Sequence, residues 1–198
     1  APYVETDAPA PLNAYGRTKL EGEKAVAASG ARHLILRTSW VYAAKGKNFL
    51  NTILRLAAER DELRVVDDQR GAPTSAGAIA EAVASLLEKD LSSGIFHMSC
   101  SGETTWYGFA QTILARRPPA NMPTLVPISS SEHAAPARRP ANSVLSMLKP
   151  HAGQKTQVRT ASPTAPVCSS GEKLAVFSQE IADHQLILLL QVKFFCLQ

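Results

Sequence analysis

The chain has 198 residues, which is enough to bury a core and to make one domain, with an appendage at most. Hydrophobic residues make up 45% of it and charged residues 19%, a balance that excludes a chain disordered throughout. The net charge of +4 comes from scattered lysines and arginines with no basic run interleaved with aromatic residues, so we do not expect nucleic-acid binding.

The predicted elements alternate between helix and strand along the chain. A helix begins near Asn13 and ends near Ser29, with Gly30 suited to the position after its C-cap, and residues 33–42 then have the apolar, β-branched pattern of a strand buried on both faces. The later elements are a helix over 49–57, a strand over 63–66, a turn-rich loop over 69–74, a helix capped by Ser75, a strand over 94–100 and a helix capped by Thr104 or Thr105. This order predicts an α/β fold with a mainly parallel sheet covered by helices.

The pattern weakens towards the end of the chain. Residues 118–140 are rich in Pro, Ser and Ala and are expected to be mostly loop. From about residue 150 neither helical nor strand periodicity remains until a last apolar stretch, which could be a strand, a short buried helix or a poorly folded end. We therefore divide the chain into an ordered portion, 1–149, and a divergent tail, 150–198.

The cellular setting can be inferred from two features. The three cysteines are far apart, with no Cys-x-x-Cys or Cys/His ligand spacing, which indicates a reducing compartment. The longest apolar stretch, 186–197, is interrupted by Gln191 and Lys193 and is too short to span a bilayer. We expect a cytoplasmic protein without a membrane segment; nothing in the sequence specifies an oligomeric state.

Tyr15 and Lys19 are the most informative pair of residues. They lie four positions apart on the first predicted helix, so their side chains project from the same face. An ammonium group beside a phenol favours the phenolate and lowers a pKa that is ordinarily near 10. The pair therefore predicts a proton donor of the kind that hydride transfer to a carbonyl requires.

Five further segments follow in order: LEGE at 20–23, LRTSWVY at 36–42, QRGAPT at 69–74, SGETTWY at 101–107 and PARRPANS at 136–143. Together with Tyr15 and Lys19, they resemble the dTDP-4-dehydrorhamnose reductase family of the extended short-chain dehydrogenase/reductase superfamily. The Tyr-x-x-x-Lys spacing marks only the superfamily, whereas RTSWVY and PARRP point to the family. The agreement covers residues 1 to about 149.

This resemblance implies a fold, a reaction and a set of site residues. The fold would be the C-terminal portion of a Rossmann-like, mainly parallel sheet with a small substrate-binding lobe. NADPH or NADH would reduce the 4-keto group of a nucleotide sugar, dTDP-4-dehydrorhamnose, to give dTDP-L-rhamnose. Tyr15 would donate the proton, Lys19 would bind the nicotinamide ribose, Trp40 would pack against the sugar and Arg139 would hold the diphosphate.

Several of these residues also have a structural interpretation. Trp40 could be a core or rim aromatic residue, and the 69–74 loop could serve only to fix the backbone through its glycine and proline. Arg139 could be a solvated surface residue. Asp67 and Asp68 have no third ligand at a useful spacing, so we assign no metal site.

The chain departs from the family pattern at its start. No glycine-rich turn of the kind that holds a dinucleotide pyrophosphate occurs in residues 1–30. We therefore expect a C-terminal fragment whose activity alone is doubtful, and a non-catalytic binding or regulatory subunit of the same fold is the alternative. A sugar-nucleotide epimerase or dehydratase of the same superfamily is disfavoured by RTSW and by the absence of an acid–base pair beside Tyr15.

Overall fold

The computed structural model describes residues 1–88, 92–133, 137 and 139–147, and the backbone of 186–192. Its helices are α1 (Ala14–Ala28), α2 (Phe49–Glu59), α3 (Ala76–Leu87) and α4 (Trp106–Arg116). Its strands are β1 (Arg32–Thr38), β2 (Val41–Tyr42), β3 (Glu62–Val66), β4 (Arg70–Gly71), β5 (Thr74–Ser75), β6 (Gly94–His97), β7 (Thr104–Thr105), β8 (Thr124–Ile128) and β9 (Leu186–Val192). The α/β alternation predicted from the sequence is confirmed.

β1 is the centre of the main sheet. It pairs in parallel with β6 along one edge and with β9 along the other, in the order β6-β1-β9. Leu34 and Leu36 point to one face, where they pack in a cluster with residues of α3. Arg37 points to the opposite face and contacts α1. β1 is thus buried on both faces, as the apolar run predicted.

A second cluster of apolar residues forms a small lobe beside this sheet. Helices α2 and α4 pack against the parallel β3–β8 ladder. The buried residues of this cluster are Trp40, Ile53, Ala57, Leu63, Val65, Val66, Trp106, Phe109, Ala110, Ile113, Leu114 and Ile128. The predicted small lobe is therefore present, and Trp40 is part of its core. Within the described ranges, no helix combines the length and apolarity that crossing a bilayer requires.

Three local predictions differ from the structure. β8 lies in a segment expected to be loop because of its prolines. One of them, Pro127, is inside the strand, which is possible because an edge strand tolerates a proline. The strand expected over 33–42 is broken after Thr38, since Trp40 adopts a left-handed backbone conformation with φ of 50°. The 69–74 loop contains the start of β5 and all of β4, which pairs with β7.

The part of the tail that the structure describes, residues 186–192, forms a strand. β9 pairs with β1 over its full length, from Arg32 opposite Leu186 to Thr38 opposite Val192. This is the strand alternative foreseen for the last apolar stretch, and it supplies β1 with a neighbour on the edge away from β6. The rest of the predicted tail lies outside the described residues.

Helix starts follow the predicted capping chemistry. Ser75 accepts a hydrogen bond from the Ala78 amide at 3.1 Å, and Thr105, rather than Thr104, accepts one from the Gly108 amide at 3.0 Å. Each satisfies a backbone donor that the first helical turn leaves unpaired. Because Thr105 is both the cap and the last residue of β7, α4 begins directly after β7, with Trp106 as its first residue.

Gly71 gives a test of packing in the small lobe. A Cβ added at this position would lie 2.3 Å from Cε2 of Trp40. We therefore expect Gly71→Ala to lower the free energy of unfolding by about 1–3 kcal/mol, measured by urea denaturation. A Cβ added at Gly77, in α3, would meet open space. The control Gly77→Ala is expected to raise stability by about 0.5–1 kcal/mol; equal effects at the two glycines would contradict this packing.

The β1–β9 pairing gives a second test. A chain ending at Gln185 leaves one edge of β1 without its partner strand, and an unpaired apolar edge is a template for pairing with another chain. We expect this truncated chain to self-associate, so that light scattering after size-exclusion chromatography gives it a higher molar mass than the full chain. Removal of residues 193–198 alone, which keeps β9, serves as the control. Identical molar masses for all three chains would argue against the pairing.

Candidate active site

α1 is anchored at its N-terminus by local contacts. Asn13 caps the helix by accepting a hydrogen bond from the Gly16 amide at 2.8 Å. Gly16 packs closely on Pro11, since a Cβ at this position would lie 2.9 Å from the Cβ of the proline. At the other end Gly30 has φ of 74°, the left-handed conformation expected after a helix C-cap. Residues 15 and 19 therefore occupy the first turns of a well-defined helix.

The structure brings Tyr15 and Lys19 together as predicted. The Lys19 Nζ lies 5.5 Å from the centroid of the Tyr15 ring, over its face. A cation in this position is attracted by the ring quadrupole. Tyr15 is 44% exposed, so the pair lies at the surface of the described part of the chain and is open to a ligand.

The pKa of Tyr15 moves in the direction opposite to the one expected. Partial burial raises the pKa of the phenol above its ordinary value, because desolvation disfavours the charged phenolate. Lys19 does not offset this rise where its ammonium lies over the ring. The prediction that Lys19 lowers the pKa of Tyr15 is therefore wrong for this arrangement.

The topology places Tyr15 at the carboxyl end of β1. The three-residue connection between α1 and β1 makes them antiparallel neighbours. Glu23 of α1 contacts Arg37 near the carboxyl end of β1. Tyr15 lies eight residues before Glu23, about 12 Å further along the helix at about 1.5 Å per residue, and thus beyond the end of the strand. In open α/β sheets this is the side where ligands bind.

Trp40 does not occupy the position that packing against a sugar requires. It is only 5% exposed, and its ring stacks on that of Trp106 with 3.5 Å between the centroids and 7° between the planes. Gly71 approaches the same ring closely enough that any side chain there would collide with it. Trp40 is therefore a core residue in this structure, since its ring packs inside the apolar cluster of the lobe.

The family-like segments meet around the two tryptophans. The Trp40 Nε1 donates to Ser143 Oγ at 3.3 Å, and that hydroxyl donates to the Arg70 carbonyl at 3.1 Å. The Trp106 Nε1 donates to Gln69 Oε1 at 3.2 Å. Four segments that are far apart in the sequence are thus tied into one unit. Gln69 accepts a hydrogen bond from Trp106, and Gly71 packs against the ring of Trp40. Both residues therefore have a structural role, as in the structural interpretation of the 69–74 loop.

The remaining candidates are Arg139, Asp67 and Asp68. Arg139 is exposed, and its neighbour Arg138 lies outside the described residues. Asp67 accepts a hydrogen bond from the Thr105 hydroxyl, while Asp68 accepts two from Ser130, at 2.9 Å from the amide and 2.8 Å from the hydroxyl. The bond from the Ser130 amide is the main cause that lowers the pKa of Asp68. In the described part of the chain, no cluster of three metal-binding side chains occurs.

Sequence reasoning missed two groups of residues. Glu23 and Arg37 form a buried ion pair between α1 and β1, and its signal was an acidic residue on the Tyr15–Lys19 stripe facing an arginine in an apolar strand. Thr38 and Ser39 are at most 2% exposed, and their hydroxyls have no hydrogen-bond partner among the residues described. These two hydroxyls stand at the carboxyl end of β1, on the side where ligands meet such sheets.

The sequence comparisons identify relatives over most of the chain. The model of the RmlD substrate binding domain matches residues 1–165. The dTDP-4-dehydrorhamnose reductase of Burkholderia thailandensis is 50% identical over 160 residues, which are 74% of this chain and 54% of that protein. The reductase of Escherichia coli K12 is 47% identical over 156 residues, 75% of this chain and 52% of that protein. The chain thus spans about half the length of the curated relatives it matches.

The solved structures give the same result. The dTDP-4-dehydrorhamnose reductase of Bacillus anthracis, in complex with NADP, superposes with a TM-score of 0.68 at 38% identity and covers 73% of this chain, which in turn covers 50% of that one. A UDP-glucuronic acid 4-epimerase from Bacillus cereus, at 17% identity and a TM-score of 0.54, shares only the fold. By motif order, fold and sequence identity, the chain belongs to the RmlD substrate-binding-domain family, that of the dTDP-4-dehydrorhamnose reductases.

Proposed function

We propose that this chain provides the proton-donating and substrate-binding portion of a dTDP-4-dehydrorhamnose reductase. The reaction is reduction of the 4-keto group of dTDP-4-dehydro-6-deoxy-L-mannose to the hydroxyl of dTDP-L-rhamnose. The observation that carries the proposal is the Tyr15–Lys19 pair at the carboxyl end of β1, in a chain that is 50% identical to such a reductase over 160 residues. A ketone becomes a secondary alcohol when its carbon accepts a hydride and its oxygen accepts a proton.

Tyr15 supplies the proton. Its raised pKa keeps the phenol protonated at neutral pH, so the hydroxyl is available as a donor to the oxygen on which negative charge develops. Transfer of that proton leaves a phenolate, and the Lys19 ammonium is close enough to the ring to favour this anion. Any such stabilisation of the phenolate lowers the pKa of Tyr15 by the same free energy, and in this arrangement desolvation outweighs it, so the net pKa is raised.

The residues at this end of the sheet suit the nicotinamide part of a dinucleotide. NADPH or NADH supplies the hydride when bound. Lys19 can donate to ribose hydroxyls, and the buried hydroxyls of Thr38 and Ser39 have hydrogen-bonding capacity that no described residue uses. The Bacillus anthracis relative was crystallised with NADP, which supports a cofactor of this class.

Arg139 is the residue proposed to meet the nucleotide diphosphate. It is exposed and belongs to the segment that returns to the site through Asn142 and Ser143. A guanidinium binds phosphate oxygens in a bidentate manner, which gives both charge and orientation. Trp40 is assigned a supporting role here, because its ring is covered by the lobe and its Nε1 donates to Ser143.

The alternative from a different class is a non-catalytic binding or regulatory subunit of the same fold. The family model that matches residues 1–165 is described as a substrate binding domain, and binding is the part of its role that this alternative keeps. That role requires no turnover, and it predicts binding of a partner or nucleotide sugar that is insensitive to Tyr15→Phe.

A chimera tests the enzymatic proposal. The N-terminal half of the Burkholderia thailandensis reductase is fused to residues 1–149 and supplied with NADPH and dTDP-4-dehydrorhamnose, while the absorbance of NADPH is followed. We expect turnover, and Tyr15→Phe should reduce kcat by about 10²–10⁴-fold, the usual contribution of a positioned acid. Residues 1–198 alone should show no dinucleotide binding by calorimetry.

The control for this chimera is Tyr107→Phe, which removes a phenol from α4 in the small lobe and should leave kcat unchanged. Turnover that survives Tyr15→Phe would remove this phenol from the mechanism. A correctly folded chimera without turnover, combined with binding of the nucleotide sugar, would favour the non-catalytic alternative.

The protonation state of Tyr15 can be measured on the chain itself. With tyrosine labelled at Cζ by ¹³C, we expect the Tyr15 resonance to titrate with a midpoint above the ordinary value of about 10, because burial raises its pKa. The phenol therefore remains the donor form throughout the neutral range, and its donor capacity is lost only as the pH rises past that midpoint. Tyr15→Phe assigns the signal. A midpoint below the ordinary value would show that Lys19 lowers the pKa after all.

A further inference from the structure

A buried ion pair links the helix that carries Tyr15 and Lys19 to the central strand. The Arg37 Nη2 donates to Glu23 Oε2 at 2.8 Å, and its Nε donates to Glu23 Oε1 at 3.2 Å. The side chains of Arg37 and Glu23 are only 4% and 3% exposed. Both carboxylate oxygens are thus engaged by one guanidinium in a fixed, two-point arrangement.

Few side chains of α1 are fully buried. All of Ala14–Ala28 is described, and the residues of α1 that are fully buried are Gly16 and Glu23. Gly16 contributes no side chain, and Leu20 and Val26 are only partly buried. The carboxylate of Glu23 is therefore the fully buried side chain through which α1 is held against β1.

Glu23 lies on the same stripe of α1 as the proposed site residues. Tyr15, Lys19 and Glu23 follow one another at four-residue intervals, so each lies one turn from the next on nearly the same face. Burial increases along this stripe, from exposed Tyr15 through half-buried Lys19 to buried Glu23. A rotation or axial shift of α1 that moved Glu23 would move the other two side chains with it.

A charged pair at this buried position can fix the orientation of the helix in a way that apolar residues of similar size cannot. A well-packed apolar pair often holds two elements together at least as well as a buried ion pair. The ion pair adds direction, because two hydrogen bonds to a planar guanidinium define one rotation and one height of the helix. His97 of β6 is the register partner of Arg37, and Glu5 accepts a hydrogen bond from the His97 amide at 3.0 Å. The charged and titratable groups nearest to Arg37 on the β6 side are therefore His97 and Glu5.

We propose that Glu23 and Arg37 are positioning residues that set the placement of the Tyr15–Lys19 pair at the carboxyl end of β1. Neither residue touches the reacting atoms. The catalytic meaning of this placement rests on the proposed function, whereas the placement itself can be observed without turnover.

The test uses the full chain and nuclear magnetic resonance. Because the Lys19 ammonium lies over the Tyr15 ring, the Lys19 ε-protons should be displaced upfield by the ring current, and Tyr15→Ala should abolish this displacement. In Glu23→Gln we expect the titration midpoint of Tyr15 to shift, because the burial of its ring depends on how α1 lies against the rest of the chain. The Lys19 displacement is a contact within α1 and should persist, which shows that the helix itself is intact. Glu21→Gln is the matched control: Glu21 forms an exposed ion pair with Lys24 at 2.8 Å on the same helix, and its removal should change neither signal.

Circular dichroism establishes whether each variant is folded. If Glu23→Gln does not fold, Arg37→Lys replaces it, since it keeps the positive charge beside Glu23 but loses the two-point geometry. A shifted Tyr15 midpoint in a folded variant that keeps the Lys19 displacement, with Glu21→Gln unchanged, supports the proposal. An unchanged Tyr15 midpoint in a folded variant would overturn it.

Loss of folding in both variants would also overturn the proposal, because the pair would then be a requirement of the fold and not of the geometry of the site. The test is independent of the reductase assignment. A chimera without activity would refute that assignment and leave the resonance results intact. Conversely, an active chimera with an unchanged Tyr15 midpoint in Glu23→Gln would refute the positioning role and leave the reductase assignment intact.

Discussion

The complete enclosure of β1 is the constraint on which the rest of the structure depends. A parallel strand with apolar side chains on both faces needs a helix on each face and a neighbour along each edge. α3 covers one face and α1 the other, while β6 and β9 complete the hydrogen-bonding ladder. The helix with Tyr15 and the loops that follow β1 are both placed by their attachment to this strand. The candidate site is therefore a consequence of how one strand is buried.

The break after Thr38 links this sheet to the small lobe. The left-handed conformation of Trp40 turns the chain out of the ladder and directs the indole into the cluster formed by α2 and α4. Hydrogen bonds from Trp40 and Trp106 then tie the 69–74 loop and Ser143 to the same place. Residues typical of the family here build the frame beside the candidate site, and Tyr15 and Arg139 are exposed.

Much of this architecture follows from local sequence patterns, and its remaining parts depend on distant contacts. Capping residues and apolar periodicity were sufficient to predict α1, α3 and α4, because they act within one or two helical turns. β8 was not predicted, since its five residues become a strand only through pairing with β3. The burial of Trp40 and the direction of the Tyr15 pKa shift also depend on neighbours that are far away in the sequence, or on the position of an ammonium above a ring, which spacing does not specify.

The stacked indoles have a consequence for spectroscopy. Trp40 and Trp106 are the two tryptophans of the chain, and their centroids are 3.5 Å apart with nearly parallel planes. Chromophores this close couple electronically and give an exciton signal in circular dichroism. One of the two indoles comes from the strand break and the other from the start of α4. The circular dichroism of this indole pair therefore reports on how the strand break and the start of α4 are packed together.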